Sequence, residues 1–219
     1  MHYSVQNLKN IKNQINDKLN HLKKSESPKI IAVSKTFPID QINPLIESGH
    51  FDFGENKVQE ALEKWSEIKF KNKNIKLHLI GKLQTNKVKY AVKIFDYIHS
   101  VDSEKLAKKI ADELNKHEKI IKIFIQVNIG RENQKSGVPL NDLENLYLYC
   151  KKVNLDVVGL MCIPPAQNDP EEYFQIMKNL AKNLNLKELS MGMSSDYLKA
   201  VEYSSTYLRI GSSIFGERN

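Results

Sequence analysis

The sequence predicts an α/β protein, a closed (β/α)8 barrel of the TIM type with one additional helix at its N-terminus. Eight short apolar segments have the character of buried strands, and all but the last are followed by a stretch of helical periodicity. Alternation of this kind is typical of a parallel sheet with right-handed crossovers. The length of 219 residues suits one barrel, and no linker rich in proline, glycine or serine divides the chain. We therefore expect a single domain over residues 1–219.

An open, doubly wound sheet is the alternative arrangement of the same alternating elements. Sheets of that kind often carry a glycine-rich phosphate-binding fingerprint. The chain contains neither GxGxxG nor GxxxxGK followed by serine or threonine. The closed barrel is therefore the preferred architecture.

The N-terminal segment predicts the additional helix. Over residues 3–23 apolar side chains recur at steps of three and four, at Leu8, Ile11, Ile15, Leu19 and Leu22. This spacing indicates an amphipathic helix that packs one stripe on a core. A basic helix on a membrane surface is the alternative, but the stripe is narrow and contains neither tryptophan nor phenylalanine.

The first half of the chain then alternates strands and helices. The run from Ile30 to Val33 is short and apolar, as expected of a strand buried on both faces. Asn43-Pro44 predicts the N-cap and first residue of a helix that ends at Gly49. Ser103 is predicted to cap another helix. The remaining predicted strands of this half are 51–56, 76–81 and 97–101, and the remaining helices are 58–68, 85–93 and 103–114.

The second half continues the pattern. Asp169 and Pro170 predict a helix start, with an N-cap, a proline in the first helical position and acidic residues in the first turn. Pro164-Pro165 stops the strand before it. The predicted elements are a strand at 121–129, a polar loop at 130–138, a helix at 140–153, a strand at 157–163, and strands at 186–193 and 207–215 with a short helix between them.

Composition excludes several classes of function. The formal net charge is +7, but the lysines are spread among 26 acidic residues, without an arginine-rich arm, RNP-like motif or zinc finger. We expect no nucleic-acid partner.

Cys150 and Cys162 have no metal-binding spacing, which predicts small buried side chains in a reducing compartment. The chain has no signal peptide and no apolar run that could span a bilayer, so we expect no membrane association and a cytoplasmic location.

Polar residues collect where the predicted strands end, which in a barrel is one common mouth. Lys35 ends the first strand beside apolar residues, where partial dehydration can lower the pKa of its amine and favour Schiff-base formation. A lysine that extends into solvent is the alternative. Asn56 could equally be a turn residue and His78 a core histidine. The other strand-end residues are Ser34, Glu55, Gly81, Ser100 to Asp102, Asn128, Pro164, Ser190 to Ser195 and Arg209 to Ser212.

The last two strand ends predict a phosphate site. Ser190-Met191-Gly192-Met193-Ser194-Ser195-Asp196 and Arg209-Ile210-Gly211-Ser212-Ser213 each contain a glycine and hydroxyl groups. Glycines allow close approach of the backbone, whose amides donate to an anion together with the hydroxyls. Barrels often bind phosphate with these two loops. An ordinary pair of Ser/Gly turns is the alternative.

A lysine that faces a phosphate site across a barrel mouth suggests pyridoxal 5′-phosphate (PLP), with Lys35 forming the aldimine. Arg209 is the candidate partner of the ring nitrogen. Because a guanidinium is not a useful proton donor, the pyridine would stay largely unprotonated and would be a poor electron sink. The predicted site therefore holds the cofactor well and activates it weakly. A class I aldolase-like barrel, in which Lys35 forms an imine with a sugar phosphate, is an alternative.

The motifs resemble, in order and over nearly the whole chain, those of the PLP homeostasis proteins, a family of barrels similar to the N-terminal domain of alanine racemase. One departure is Ser194-Ser195-Asp196, where the family often has an extra acid. The matching segments are Ile31-Ala32-Val33-Ser34-Lys35-Thr36, Phe53-Gly54-Glu55-Asn56-Lys57-Val58-Gln59-Glu60, His78-Leu79-Ile80-Gly81-Lys82-Leu83-Gln84-Thr85-Asn86-Lys87, Lys135-Ser136-Gly137, Gly159-Leu160-Met161, Leu189-Ser190-Met191-Gly192-Met193-Ser194 and Arg209-Ile210-Gly211-Ser212-Ser213-Ile214-Phe215-Gly216.

The resemblance implies the roles of the site residues. Lys35 would carry the PLP aldimine, Arg209 would face the ring nitrogen, and Asn56 and His78 would line the site, with no metal. The phosphate would be held by the residues of the last two loops, namely Ser190, Met191, Gly192, Met193, Ser194, Gly211 and Ser212.

The resemblance also implies a function, intracellular PLP and amino-acid homeostasis without robust turnover. We expect a monomer, with PLP-accepting apo-enzymes as candidate partners. A PLP-dependent amino-acid racemase is the alternative. Such racemases draw a second catalytic base from an additional C-terminal β-domain and a partner subunit, and because this chain ends at Asn219, soon after the eighth strand, we expect no such domain here.

Overall fold

In the computed structural model, which describes residues 1–130 and 136–217, eight strands pair in chain order and close a barrel. All neighbouring pairs are parallel, and the first strand joins the last from the Lys29–Tyr207 pair to the Ala32–Ile210 pair. The prediction of a closed barrel is therefore confirmed. The strands are β1 Lys29–Val33, β2 Asp52–Glu55, β3 Lys76–Leu79, β4 Tyr97–Val101, β5 Lys122–Val127, β6 Asp156–Cys162, β7 Glu188–Ser190 and β8 Tyr207–Ile210.

Helices surround the barrel, and the first of them precedes β1, as predicted. Short 3-10 turns, Thr85–Lys87 and Leu140–Asp142, lead into the fourth and sixth helices. The helices are α1 Tyr3–His21, α2 Ile39–Glu47, α3 Val58–Lys71, α4 Val88–Ile94, α5 Glu104–His117, α6 Leu143–Lys152, α7 Pro170–Asn183, α8 Tyr197–Glu202 and α9 Ser212–Phe215.

The predicted helix signals act as expected at α5 and α7. The Ser103 hydroxyl accepts from the amide of Leu106, and the Asp169 carboxylate accepts from that of Glu171. In α1 the predicted stripe packs on the core, with Leu8, Ile11, Ile15 and Leu19 buried. Leu22 lies at the C-cap, just beyond the last helical residue.

The predicted start of α2 is wrong. The helix begins at Ile39 after Pro38, and Pro44 lies inside it. Pro44 has no amide hydrogen and removes one hydrogen bond to the preceding turn. The helix still forms because its amphipathic spacing buries Ile42 and Leu45 completely against the barrel.

The predicted extent of the last strand is also wrong. β8 ends at Ile210, and Ser212–Phe215 form the short helix α9, so every strand of the barrel is followed by a helix. The apolar side chains of Ile214 and Phe215 are buried by packing on α1 rather than in a sheet. The Asn7 side-chain amide donates to the Ile214 carbonyl at 3.1 Å, which ties α1 to α9.

The main apolar core lies between the barrel and its helices, and a smaller cluster fills the barrel interior with Ile31, Tyr97, Phe124, Met161 and Tyr207. Gly159 allows β6 to approach β7, since a Cβ there would lie 2.0 Å from the Glu188 carbonyl oxygen.

Both cysteines are buried, and neither forms a disulfide. Over the described ranges, no helix has the length and apolar character needed to cross a membrane, and no cluster of His, Cys, Asp or Glu is suited to a metal ion.

Candidate functional site

A cavity of about 470 Å³ opens at the C-terminal mouth of the barrel. It is formed at the C-terminal ends of β1, β2, β3, β6, β7 and β8. Seven predicted site residues line it, namely Lys35, Asn56, Met193, Ser194, Arg209, Gly211 and Ser212. Val33, Phe37, Ile80, Ile163, Ser195 and Gly216 complete the lining among the described residues. The mouth therefore combines two cations with hydroxyl, amide and apolar groups.

The backbone on both sides of Lys35 is held by α3. Thr36 has a left-handed backbone with φ of 69°, which is uncommon for a β-branched residue. Its amide donates to the Glu60 carboxylate at 2.6 Å. On the other side, Lys64 Nζ donates to the Ser34 carbonyl at 2.9 Å. These contacts fix the segment that presents the half-buried Lys35 to the cavity.

Glu55 does not face the mouth, although it ends β2 as predicted. Its side chain points outward to α3, because successive residues of a strand face opposite sides of the sheet. It is fully buried and accepts from Ser34 Oγ at 2.7 Å, Lys64 Nζ at 3.0 Å and Trp65 Nε1 at 2.9 Å. Glu55 thus supports the strand end behind Lys35, while Asn56, the next residue, lines the cavity.

The loops after β7 and β8 meet through Ser194. Its hydroxyl oxygen accepts from the backbone amides of Gly211 and Ser213, each at 3.3 Å. Gly192 enters the first loop with φ of 91°, a conformation that favours glycine, and a Cβ there would lie 2.6 Å from that of Ala200. The cavity wall therefore carries backbone N–H groups and hydroxyls, which are the donors that an anion requires.

Arg209 forms the buried floor of the cavity and is only 4% exposed. Its Nη1 donates to Ser190 Oγ at 2.7 Å, and its Nη2 donates to the Cys162 carbonyl at 2.8 Å. Burial lowers the pKa of the guanidinium below its ordinary value. Because both partners are neutral, the positive charge of Arg209 favours an anionic or electron-rich ligand in the cavity.

Four predicted site residues do not line the cavity. Ser190 lies beneath it as a partner of Arg209, Met191 is buried in the core, and Gly192 shapes the turn. His78 is fully buried and does not line the cavity either. His78 points into the barrel below the mouth, where its ring stacks on Tyr97 with centroids 4.2 Å apart. Lys135, part of one matching segment, lies outside the described residues.

Sequence reasoning missed several lining residues, of which Ile80 carried a usable signal. Ile80 lies two residues after His78, so strand alternation places both on the same inner face. Ile80 therefore lies one layer nearer the mouth than His78. Side-chain chemistry favours His78 as a site residue, whereas position along the chain, just after the end of β3, places Ile80 at the cavity.

A larger cavity of about 730 Å³ lies away from the mouth, beside the end of α1 and the start of β8. Its lining includes Lys24, whose Nζ donates to the Glu202 carbonyl at 2.7 Å and so caps α8. This cavity contains none of the C-terminal strand ends, where barrel ligands bind. The smaller mouth cavity is therefore the candidate site.

Fold and site together define a class of barrel in which a lysine after strand one shares a mouth cavity with the loops after strands seven and eight. The family model described as alanine racemase, N-terminal domain, matches residues 6–219. An alanine racemase from Clostridium difficile shares the fold with a TM-score of 0.77 at 14% identity, over 99% of this chain and 57% of that one.

Nearer relatives identify the family within this class. The chain is 39% identical to the pyridoxal phosphate homeostasis protein of Aquifex aeolicus over 87% of each sequence. It is 39% identical to the human protein of that name over 88% of this chain and 77% of that one. The structure of PipY from Synechococcus elongatus with PLP bound has a TM-score of 0.80 at 34% identity, over 92% of this chain and all of that one. This chain belongs to the pyridoxal phosphate homeostasis protein family, which confirms the resemblance in its motifs.

Proposed function

We propose that the chain binds PLP in the mouth cavity and serves PLP homeostasis. The observation that carries the proposal is the convergence of Lys35, Arg209 and the two anion-binding loops on one cavity of about 470 Å³. This volume falls within the usual range for cofactor sites. The PLP-bound structure of PipY, a relative at 34% identity, supports the same ligand.

Lys35 is proposed as the covalent attachment point. PLP supplies an aldehyde, and condensation with a lysine amine forms a C=N bond with release of one water. Lys35 is half-buried and lines the cavity together with the apolar side chains of Val33 and Phe37. The contacts of Thr36 and Ser34 with α3 keep its backbone in place for this role.

The remaining described groups suit the rest of the cofactor. The amides of Gly211 and Ser213 and the hydroxyl groups of Ser194 and Ser212 are proposed to hold the phosphate. In the present structure the Ser194 oxygen accepts from both amides, as a phosphate oxygen would. Arg209 is proposed to face the ring nitrogen and Asn56 to line the site.

Turnover is proposed to be weak, because the partner of the ring nitrogen would be Arg209. A guanidinium does not usefully donate a proton, so it leaves the pyridine a poor electron sink. Holding and releasing PLP then becomes the main activity. We further propose that the protein acts as a monomer in the cytoplasm and delivers PLP to apo-enzymes.

Borohydride reduction tests the attachment. We expect reduced, PLP-saturated protein to carry a phosphopyridoxyl mass on the peptide that contains Lys35, and Lys35→Ala to carry none. Lys57→Ala is the control, since Lys57 is exposed and does not line the cavity. Wild-type protein without the adduct, or a Lys35→Ala variant that keeps it at another lysine, would refute the proposed site. Trapping with a ketose phosphate but not with PLP would favour the aldolase-like alternative.

A racemase-like activity is the second candidate, favoured by the match to the alanine racemase N-terminal domain. Exchange of the α-hydrogen of amino acids with deuterated water measures it directly. Fast exchange that Lys35→Ala abolishes would support the enzyme. Exchange no faster than that of free PLP supports the carrier function.

A further inference from the structure

A continuous chain of hydrogen bonds runs from the cavity floor through the barrel interior. Arg209 Nη1 donates to Ser190 Oγ at 2.7 Å, and Ser190 Oγ lies 2.9 Å from His99 Nδ1. His99 Nε2 lies 3.0 Å from His78 Nδ1, and His78 Nε2 lies 3.0 Å from Asp52 Oδ1. The chain thus joins residues of β8, β7, β4, β3 and β2.

The chain is shielded from solvent except at its far end. Ser190, His78 and His99 have no exposed surface, and Arg209 has only 4%. The imidazole of His99 stacks on Phe124, and that of His78 on Tyr97, with ring centroids 4.2 Å apart in each pair. Only Asp52 reaches partial exposure, with 27% of its side chain accessible.

The two ends of the chain determine its direction. Burial acts to raise the pKa of Asp52, but the hydrogen bond to His78 and the neighbouring charges together lower it, so its carboxylate is an acceptor. His78 Nε2 must therefore donate. At the other end, Arg209 only donates, which makes the Ser190 oxygen an acceptor at that contact.

Neutral imidazoles then leave one arrangement of protons. Burial lowers the pKa of His78 and, more strongly, that of His99, which favours the neutral form of both rings. A neutral His78 that donates through Nε2 has a bare Nδ1, which accepts from His99 Nε2. His99 in turn has a bare Nδ1, which accepts the Ser190 hydroxyl hydrogen. Each group donates towards Asp52, so every contact is satisfied.

We propose that Ser190, His99, His78 and Asp52 are positioning residues that hold the Arg209 guanidinium at the cofactor ring and connect it to the Asp52 carboxylate. The inference deepens the proposed function, since the ligand that faces Arg209 is taken to be PLP. Ser190 is central, because its single hydroxyl hydrogen is committed to His99 and its oxygen stays available to Arg209. The guanidinium is thereby fixed at Nη1 by the chain and at Nη2 by the Cys162 carbonyl.

The first test measures the tautomers in the protein without PLP. Nitrogen-15 NMR of labelled histidine separates a bare ring nitrogen from a protonated one, and His78→Gln and His99→Gln assign the signals. We expect both residues to be neutral at pH 7, with Nε2 protonated and Nδ1 bare. A proton on either Nδ1, or an imidazolium at pH 7, would overturn the proposed direction. This result does not depend on PLP binding.

The second test breaks the chain without removing the ring from its stack. His99→Phe keeps an aromatic side chain against Phe124 and leaves Ser190 and His78 without their partner. We expect roughly tenfold weaker PLP binding, because Ser190 loses the partner that keeps its oxygen available to Arg209. We also expect a shifted absorbance maximum of the bound cofactor. His99→Gln, which can both donate and accept, should restore most of the affinity and the wild-type spectrum.

Phe124→Leu serves as the control for packing, since it alters the surface under His99 but no hydrogen bond of the chain. An equal loss of affinity and an equal spectral shift in Phe124→Leu and His99→Phe would overturn the positioning role. The adduct on Lys35 is expected to form in both variants. Its absence from wild-type protein would instead count against the proposed function, so the two failures are distinguishable.

Discussion

Arg209 illustrates how a single residue acquires its role from its surroundings. An exposed arginine would be a solvated cation, but here the guanidinium lies under the mouth cavity with two neutral acceptors. Its charge is therefore available to a ligand. Asn56 lines the same cavity but offers a neutral amide and is only half-buried. The two side chains should contribute unequally to binding.

We expect Arg209→Ala to weaken PLP retention more than Asn56→Ala. A charged partner contributes about 1.5–3 kcal/mol and a neutral hydrogen bond about 1 kcal/mol. The predicted losses are therefore of order ten- to a hundredfold for Arg209→Ala and about fivefold for Asn56→Ala. Dialysis of loaded protein, followed by absorbance of the retained PLP, measures both. Circular dichroism should confirm that each variant is folded, and equal retention would contradict the assignment of Arg209.

At the scale of single elements, local signals were reliable where they satisfy backbone groups. The residue types of Ser103 and Asp169 predict helix caps, and both side chains accept from an amide of the first turn. Proline favours a helix start, which predicts one at Pro44. The helix instead begins at Ile39, because burial of Ile42 and Leu45 stabilises helical turns on both sides of Pro44. The prediction failed where tertiary packing outweighed a local preference.

We expect Ser103→Ala to destabilise the protein by about 1 kcal/mol, because it removes the N-cap acceptor of α5. Ser66→Ala is the matched control. Ser66 is exposed within α3, where alanine has the higher helix propensity, so its replacement should be neutral or slightly stabilising. Denaturant unfolding followed by circular dichroism measures the difference. Equal stability of the two variants would show that the cap contributes little.

At the scale of the whole molecule, three buried histidines link stability to pH. Burial depresses the pKa values of His50, His78 and His99, and that of His50 falls from 6.5 to about 4. The folded protein therefore binds fewer protons than the unfolded chain between these values. Under this linkage the free energy of unfolding rises with pH across the window and falls on acidification.

We expect the protein without PLP to lose stability as the pH is lowered from 7 towards 4. The difference between 6.5 and about 4 for His50 alone corresponds to roughly 3 kcal/mol. His50→Gln should flatten the profile, whereas replacement of the exposed His117 by glutamine should leave it unchanged. A pH profile of His50→Gln as steep as that of wild type would contradict the assignment.

Denaturant unfolding followed by two probes tests the proposal of a single domain over residues 1–219. Trp65 is the only tryptophan and is fully buried, so its fluorescence reports on the packing of α3 against the barrel. A closed barrel should unfold as one cooperative unit. Fluorescence and far-ultraviolet circular dichroism are therefore expected to change at the same denaturant concentration, and separate transitions would indicate more than one unit.

The sequence by itself determined the architecture and most of the cavity lining. Periodicity identified the alternating elements, and the rule that parallel strands end at one mouth placed Lys35, Arg209 and the two loops together. Only the tertiary structure decided the depth of each residue. His78 and Ser190 have the chemistry of ligand-binding residues, yet they lie beneath the cavity in the chain from Arg209 to Asp52. Strand alternation predicts which face of the sheet a side chain occupies, whereas its height in the barrel depends on how all eight strands are staggered when the sheet closes.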